Sequence, residues 1–142
     1  MKSSSVLKVQ VIVYARAPRI EVLLLRRPAD RGSIWQPVTG KVEPEDTDII
    51  AAARRELFEE TGILNVGALD DLDCEFRFTK EGAEVREHAV AAEVEAACPV
   101  ALSGEHVDSA WLPPSAALAR LSWDTHREGL RRALAPRRLE RS

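Results

Sequence analysis

The first part of the chain alternates apolar and polar residues with the period of two that is typical of a β-strand. We therefore predict a strand over residues 6–15, whose alternate apolar positions are Leu7, Val9, Val11 and Val13. A turn at residues 17–19 precedes a second predicted strand over residues 21–27. The run Val22 to Leu25 in this strand is continuously apolar, so we expect it to be covered on both faces. Together the two strands predict a hairpin.

Later segments extend the pattern to a mixed fold. Strands are predicted over residues 35–39, 74–80, 85–97 and 110–112, with a turn at Glu81-Gly82. Short helices are predicted over residues 115–121 and 125–134, and the pattern Thr125-x-x-Glu128 is a capping box that would open the second. Strands and helices alternate loosely, with hairpins among them. This succession predicts an α/β or α+β fold with a mixed sheet.

A further helix is predicted in the middle of the chain, where residues 51–60 are strong helix formers without Gly or Pro. Thr47 or Asp48 can cap its start, and Gly62 suits the left-handed position after its last turn. Its core face is marked by apolar residues at helical spacing: Ile50, Ala53 and Leu57. These signals predict a strand, a loop and a helix in succession.

Size and composition indicate one globular domain: the chain has 142 residues, of which 45% are hydrophobic and 30% charged. We assign residues 1–136 to this domain and expect residues 137–142, a basic tail without an apolar run, to be frayed. The net charge of −3 predicts no attraction to nucleic acid. Cys74 and Cys98 make no disulfide framework, and the polar N-terminus predicts neither a signal peptide nor a membrane span. We therefore expect a cytoplasmic protein, either a monomer or a homodimer.

Three carboxylates crowd the last turns of the central helix: Glu56, Glu59 and Glu60. Glu56 and Glu60 lie one turn apart with no cation at helical spacing, and each such like-charge pair costs about 0.2–0.5 kcal/mol. Only Glu59 has a helical partner, Arg55, four residues earlier. A solvated acidic face would explain the triplet alone, but a hard divalent cation needs several oxygen ligands in one place. The unpaired carboxylates therefore predict a metal site.

The segment Arg55-Glu56-Leu57-Phe58-Glu59-Glu60-Thr61-Gly62-Ile63 matches the REUxEExGU core of the Nudix box, in which U is a bulky aliphatic residue. Gly40 stands for the glycine that opens the box. On these residues the chain resembles the Nudix hydrolase family. One place departs from the family pattern, because Asp46 stands where the family has Glu. The loop Glu43-Pro44-Glu45-Asp46 is also one residue longer than in the family.

The resemblance implies a mixed, curved sheet sandwiched between helices. It also implies the hydrolysis of a nucleoside diphosphate linked to another group, through attack of water on phosphorus. The cofactor implied is Mg²⁺ or Mn²⁺, held by Glu56, Glu59, Glu60 and the Gly40 carbonyl. Arg55 would be structural and would orient the Glu59 carboxylate.

Two residues are candidate catalysts that activate the water: Glu59 on the helix and Glu105 in a later loop. Taken alone, Glu105 is a loop charge, and its neighbour His106 is more often a packing residue than a ligand. In several Nudix groups, however, a Glu in a similar Glu-His context binds metal or acts as the base. The resemblance therefore makes Glu105 a second candidate.

A phosphate substrate needs cations near the metal. Arg27 ends an apolar strand and Lys41 follows Gly40 directly, so either could contact a phosphate. Trp35 could stack on a base and Gln36 could hydrogen-bond it, although Trp35 is equally consistent with the core. The three tryptophans form no basic–aromatic stripe, so we expect a small nucleotide as the partner rather than nucleic acid.

Several segments outside the box resemble the dATP and dihydroneopterin triphosphate pyrophosphohydrolase branch: Trp35–Gly40, Glu105-His106, Trp111-Leu112 and Trp123–Arg127. That branch often has Asn where this chain has His126. The resemblance implies a nucleoside or pterin triphosphate, cut to monophosphate and pyrophosphate, with a dinucleoside polyphosphate as the alternative. A non-catalytic nucleotide-binding module is disfavoured because all three helix carboxylates are present. An isomerase is disfavoured because neither cysteine lies in a local acid–base motif.

Overall fold

A computed structural model describes residues 5–140. Its strands are β1 Ser5–Ala17, β2 Glu21–Arg26, β3 Trp35–Gln36, β4 Val38–Lys41, β5 Ala68–Lys80, β6 Ala83–Ala96 and β7 Asp108–Leu112. Its helices are α1 Ile49–Thr61, α2 Pro114–Arg120, α3 Asp124–Ala133 and α4 Pro136–Leu139, with a 3-10 turn at Ala29–Arg31. Within residues 5–140, none of the helices has the length and apolar character needed to cross a bilayer.

The strands form one mixed sheet in which β1 lies centrally. β1 pairs in parallel with β6 along almost its whole length, from Ser5↔Glu84 to Ala17↔Ala96. It pairs antiparallel with β2 and β4, while β3 and β7 pair with β2, and β5 pairs with β6. The predicted β1–β2 hairpin and the α+β class with a curved, mixed sheet are confirmed.

Helices cover both faces of this sheet, and the alternation of β1 supplies both cores. Val9, Val11 and Val13 point to the α1 side, where Ala53 and Leu57 meet them. Ile12 and Tyr14 point to the opposite side, where residues of α2 and α3 cover them. Residues 22–25 of β2 are likewise buried on both faces, as their apolar run predicts.

The two ends of α1 follow from its sequence. The Asp48 carboxylate accepts a hydrogen bond from the Ala51 N–H at 2.7 Å, so Asp48, rather than Thr47, is the N-cap. Gly62 has φ of 75° and donates its N–H to the Phe58 carbonyl, as predicted for the residue after the last turn. These local interactions fix which carboxylates of α1 face the sheet.

Two strand predictions differ from the structure in detail. Pro37 divides the predicted strand 35–39 into β3 and β4, because proline has no N–H to donate to a strand ladder. β5 begins at Ala68, before the predicted start at residue 74, because the long partner β6 extends the pairing. The polar stretch is accommodated by a register irregularity between Asp71 and Glu75.

The predicted capping box of the last long helix is wrong. α3 begins at Asp124 after Trp123, whose side chain makes no capping hydrogen bond, so Thr125 lies inside the first turn. Glu128 instead pairs with Arg132, one turn later. The reason is that Arg127 binds Asp124 and the Leu121 carbonyl, which stabilises an earlier start.

The C-terminal segment also differs from the expected frayed tail. Residues Pro136–Leu139 form α4, whose Arg138 donates to the Tyr14 hydroxyl at 2.5 Å and to Asp70 at 2.9 Å. The Arg138 guanidinium also lies 5.3 Å from the centroid of the Tyr14 ring. The prediction of a frayed tail used only its charge and its lack of an apolar run. The contacts of Arg138 instead hold this segment against the sheet. Residues 141–142 lie outside the described range.

Candidate active site

The site begins where α1 passes under β4. Glu56 lies so close to Gly40 that a Cβ atom on that glycine would fall 2.0 Å from the Glu56 carboxyl carbon. Any side chain at this position would therefore displace the carboxylate. The glycine of the box and the first helix carboxylate are thus brought into contact.

Glu60 is the most deeply placed acid of the site. It is 2% exposed, and neither of its carboxylate oxygens has a hydrogen-bond partner. Burial, followed by the neighbouring Glu56 and then Glu105, raises the pKa of Glu60 well above its usual range. A buried acid without hydrogen-bond partners costs free energy in the folded protein.

Arg55 organises the acidic residues around it. Its guanidinium donates to both oxygens of Asp46 at 3.0 and 2.8 Å, and to Glu56 and Glu59 at 2.9 Å each. It also donates to the Lys41 carbonyl at 2.9 Å. The hydrogen bonds that Arg55 donates to Asp46, followed by the one it donates to Glu56, raise the pKa of Arg55, and the bonds from Arg55 lower the pKa of Asp46.

These contacts give a role to the residue that departs from the family pattern. Asp46 holds Arg55 through two parallel hydrogen bonds, and the Glu43 N–H donates to Asp46 at 2.8 Å. The longer loop therefore closes on itself and delivers a carboxylate to Arg55. Glu59 remains about half exposed at the end of this network.

A cleft with two halves opens above these residues. The acidic half is lined by Glu43, Glu45, Arg55, Glu56, Glu59, Glu60, Ser103 and Glu105. The adjoining half carries the cations Lys8, Arg27, Arg31, Lys41 and Lys80. Glu43, Glu56 and Glu105 line both halves, so acids and cations face one continuous space. Such a division can hold a cation and a polyanion side by side.

The structure brings most of the predicted site residues to this cleft, namely Gly40, Glu56, Glu59, Glu60, Glu105, Arg27, Lys41 and Arg55. Trp35 is not among the lining residues: it packs on the opposite side of the sheet, with the Arg120 guanidinium 5.2 Å from its ring centroid. Gln36 is buried and contacts His106. The prediction that this pair contacts a base is therefore not supported by their positions.

Lys8 and Lys80 line the cleft but were not predicted from the sequence. Burial lowers the pKa of Lys8. The sequence contains one signal that could have identified Lys8: it is a charged residue within the apolar alternation of β1. The register then places Lys8 beside Lys41 of β4, which no local pattern reveals.

His106 lies next to Glu60, so it is more than a packing residue. Its Nδ1 is 3.7 Å from Glu60 Oε1, and its Nε2 is 3.1 Å from Gln36 Nε2. The residue is 5% exposed, and burial, followed by the charge of Arg27, lowers the pKa of His106. The imidazole is therefore neutral at physiological pH.

The residues fit a divalent metal through oxygen chemistry. Glu60 presents two unpartnered, buried oxygens beside Glu56, and hard cations take carboxylate oxygens together with water and phosphate. Glu59 is turned towards Arg55. Within residues 5–140, no three acidic, His or Cys side chains already converge on one point. An ion here would therefore complete its shell with oxygens from outside the protein.

Comparison with known proteins identifies the family. The family model of the NUDIX domain matches residues 6–133. This chain belongs to the NUDIX domain family. It is a Nudix hydrolase that acts on pyrophosphate bonds, so the predicted family and enzyme class are confirmed. Nudix hydrolases generally use divalent metal ions.

Two solved structures and one curated protein are informative relatives. An E. coli dihydroneopterin triphosphate pyrophosphohydrolase is 25% identical with a TM-score of 0.76, covering 88% of this chain and 92% of that one. A C. elegans Ap4A hydrolase in a binary complex is 27% identical with a TM-score of 0.74, covering 89% and 93%. An octanoyltransferase from Myxococcus xanthus is 40% identical over 128 residues, which are 87% of this chain. This chain spans 35% of that protein's length.

Proposed function

We propose that this Nudix hydrolase cleaves a nucleoside or pterin triphosphate to the monophosphate and pyrophosphate, with Mg²⁺ or Mn²⁺. The observation that carries the proposal is the divided cleft, in which unpartnered Glu60 oxygens adjoin a group of five cations. A single phosphate group would not need so many cations, whereas a polyphosphate chain would contact several. The similarity to the E. coli dihydroneopterin triphosphate pyrophosphohydrolase supports the same substrate class.

Glu56, Glu60, Glu59 and the Gly40 carbonyl would hold the metal. When bound, a divalent ion supplies charge neutralisation at the diphosphate and a way to orient water. Arg55 holds Glu56 and Glu59 in position through its hydrogen bonds, and Asp46 holds Arg55. The acidic side chains thus enter the reaction already oriented.

The cations would bind the phosphates and set the direction of the substrate. Arg27 and Lys41 flank Gly40 in the cleft, and Lys8 and Lys80 extend the basic surface. A carboxylate must then remove a proton from the attacking water as the water oxygen bonds to phosphorus, while the bond from that phosphorus to the bridging oxygen breaks and the bridging oxygen leaves with the departing phosphate group. Glu105 is the first candidate because it lines both halves of the cleft, and Glu59 is the second.

A dinucleoside polyphosphate is the second candidate substrate, favoured by the similarity to the C. elegans Ap4A hydrolase. The cytoplasmic location remains part of the proposal, supported by two unpaired cysteines, Cys74 and Cys98. A non-catalytic binding role is disfavoured by the retention of all three helix carboxylates.

A phosphate-release screen would test the substrate class. Nucleoside triphosphates, a pterin triphosphate, nucleotide sugars and dinucleoside polyphosphates would each be incubated with Mg²⁺, and released pyrophosphate would be converted to phosphate by added pyrophosphatase. Nucleotide products would also be separated by anion-exchange chromatography, because dinucleoside polyphosphates and nucleotide sugars are cleaved without release of pyrophosphate. We expect phosphate from the triphosphates only when pyrophosphatase is present. Turnover confined to dinucleoside polyphosphates would favour the second candidate, and turnover of neither class would contradict both.

The metal site is tested by Glu56→Gln and Glu60→Gln, which keep side-chain size but remove charge. Each should lower turnover by at least about 10²-fold, as other losses of electrostatic stabilisation do. Glu95→Gln, at an exposed position near the end of β6, is the matched control. If both cleft variants retain metal-dependent turnover, the metal lies elsewhere.

A further inference from the structure

We propose that His106 is a positioning residue that holds the Glu60 carboxylate for metal binding through its Nδ1–H, and that Gln36 selects this tautomer. The inference rests on the proposed function, in which Glu60 is a metal ligand. It assigns a role to two buried polar residues that the chemistry of the cleft does not otherwise use.

The tautomer follows from the contact between the two side chains. Gln36 Nε2 lies 3.1 Å from His106 Nε2. An amide nitrogen can only donate a hydrogen bond, so the ring Nε2 must accept it with a lone pair. A neutral ring with this lone pair carries its proton on Nδ1, the nitrogen that faces Glu60.

The two facing atoms are both without other partners. His106 Nδ1 and Glu60 Oε1 are buried, and neither makes a hydrogen bond to another group. Their separation of 3.7 Å is longer than a hydrogen bond, although one is a donor and the other an acceptor. Leaving buried polar atoms unpaired costs free energy, which favours closing the gap. Hydrogen bonds of catalytic groups are often long before ligands bind and shorten afterwards.

Both residues are held by the backbone of the sheet. Gln36 lies in β3 and pairs with Leu25 of β2. The residue after His106, Val107, donates its N–H to the Arg26 carbonyl at 2.9 Å. The loop that carries His106, the proposed hydrogen-bond donor, is therefore attached to β2, whereas Glu60 belongs to α1. A hydrogen bond between them would join the helix to the sheet beside the metal ligands.

One carboxylate oxygen remains available when the other is held. If Nδ1–H binds Glu60 Oε1, then Oε2 is left to face the metal with a fixed direction. Partners that orient metal ligands typically contribute about 10–100-fold to metal affinity. The role is separate from proton transfer, because His106 keeps the same proton throughout.

The tautomer can be measured directly in the metal-free protein. Long-range ¹H–¹⁵N spectra distinguish a protonated Nδ1 from a protonated Nε2, and the signals that disappear in His106→Asn identify this ring among three histidines. We expect the Nδ1–H form. A ring protonated at Nε2 would overturn the inference, even if the enzyme binds metal and hydrolyses substrate normally.

The effect on the metal is tested by Mn²⁺ binding to isosteric variants. Asn places its amide NH₂ near the position of Nδ1, so His106→Asn should keep Mn²⁺ affinity near that of the wild type. Gln reaches the position of Nε2 instead, so His106→Gln should weaken Mn²⁺ binding by about 10–100-fold. Equal affinity in His106→Gln and the wild type would overturn the positioning role. His88→Asn, at a histidine that pairs with Asp71 outside the cleft, is the control.

Gln36→Met provides a second route that leaves His106 intact. Removing the amide donor should produce a mixture of the two tautomers and a lower Mn²⁺ affinity together. A variant that still shows only Nδ1–H would overturn the assignment of tautomer selection to Gln36. A wild type with the Nδ1–H ring but without Mn²⁺ binding would contradict the metal site of the proposed function, and that result is distinct from a wrong tautomer.

Discussion

At the scale of single residues, the burial of Glu60 opposes the ionisation of its carboxyl group. In the folded, metal-free protein its pKa is raised above the ordinary value of 4.5 by burial and by Glu56. Between the unfolded and the folded pKa, the folded state therefore holds a proton that the unfolded state has released. By linkage, the free energy of unfolding falls as pH rises through this window.

We therefore expect wild-type protein in EDTA to lose more unfolding free energy between about pH 5 and pH 9 than Glu60→Gln does. Urea titrations at several pH values would measure the difference. Glu140→Gln, at an exposed carboxylate, should follow the wild type. If the unfolding free energies of the wild type and Glu60→Gln change in parallel with pH, ionisation of Glu60 does not lower the stability of the folded protein.

Glu105 differs from the buried Glu60, because it is exposed and lines both halves of the cleft. If it is the base, Glu105→Gln should lower kcat by about 10²–10⁴-fold and leave nucleotide affinity nearly unchanged. Proton removal matters in the transition state, whereas the cations set substrate binding. The measurement compares kcat with the affinity for a slowly hydrolysed triphosphate analogue.

Each other result for Glu105 has a distinct meaning. A raised KM with a normal kcat would indicate a substrate contact. A normal kcat and KM would return the search for the base to Glu59. Glu95→Gln, away from the cleft, should change neither parameter.

Residue-level prediction was possible where the signal was local. Glu56, Glu59 and Glu60 lie within one short helical segment, and their lack of cations is visible in the sequence. Lys8 lies beside Lys41 because β1 pairs with β4, and His106 lies near Glu60 in a loop that is hydrogen-bonded to β2 at Arg26. Such contacts depend on the three-dimensional arrangement of the elements, so no local pattern in the sequence predicts them.

At the scale of elements, the site depends on the close approach of α1 to β4. Gly40→Ala would put a Cβ atom 2.0 Å from the Glu56 carboxyl carbon, so the carboxylate or the helix must move. We expect a loss of about 1–3 kcal/mol in unfolding free energy, typical of overpacking. Mn²⁺ affinity should fall in parallel.

Gly104→Ala is the matched control, because no atom lies within 4 Å of a Cβ at that position. It sits in the loop beside Glu105 and leaves Glu56 undisturbed. Chemical denaturation and Mn²⁺ titration would be measured on both variants. If Gly40→Ala behaves like Gly104→Ala, the helix and the strand are less closely packed than their positions indicate.

Element boundaries show which signals were sufficient. The N-cap at Asp48 and the left-handed Gly62 fixed α1 by local chemistry, and both were predicted. Thr125 failed as a cap because Arg127 binds groups outside the helix. The start of β5 was missed because its pairing is imposed by β6 rather than by its own alternation.

At the scale of the whole molecule, the C-terminal segment is tied to the centre of the sheet. Arg138 contacts Tyr14, Asp70 and the Ala133 carbonyl, which belong to three different elements. We expect Arg138→Ala to lower the unfolding free energy by about 1–3 kcal/mol, because it removes hydrogen bonds to partly buried groups. Urea denaturation would measure this loss.

The neighbouring Arg137 is exposed and offers the control. Arg137→Ala removes the same charge, so it should change stability by less than about 0.5 kcal/mol. Equal losses in the two variants would show that net charge, and not the contacts of Arg138, stabilises this end of the chain.

The central place of β1 also governs how the chain can fold during synthesis. β1 leaves the ribosome before the other elements of this domain, but its parallel partner β6 ends only at Ala96. Long-range pairing of this kind folds slowly, because a large loop must close before any contact forms. Until β6 emerges, the nascent chain exposes an apolar strand with an unpaired edge, the surface on which aggregation begins. A ribosome stalled before residue 96 would therefore hold a chain that depends on chaperones, however stable the finished enzyme is.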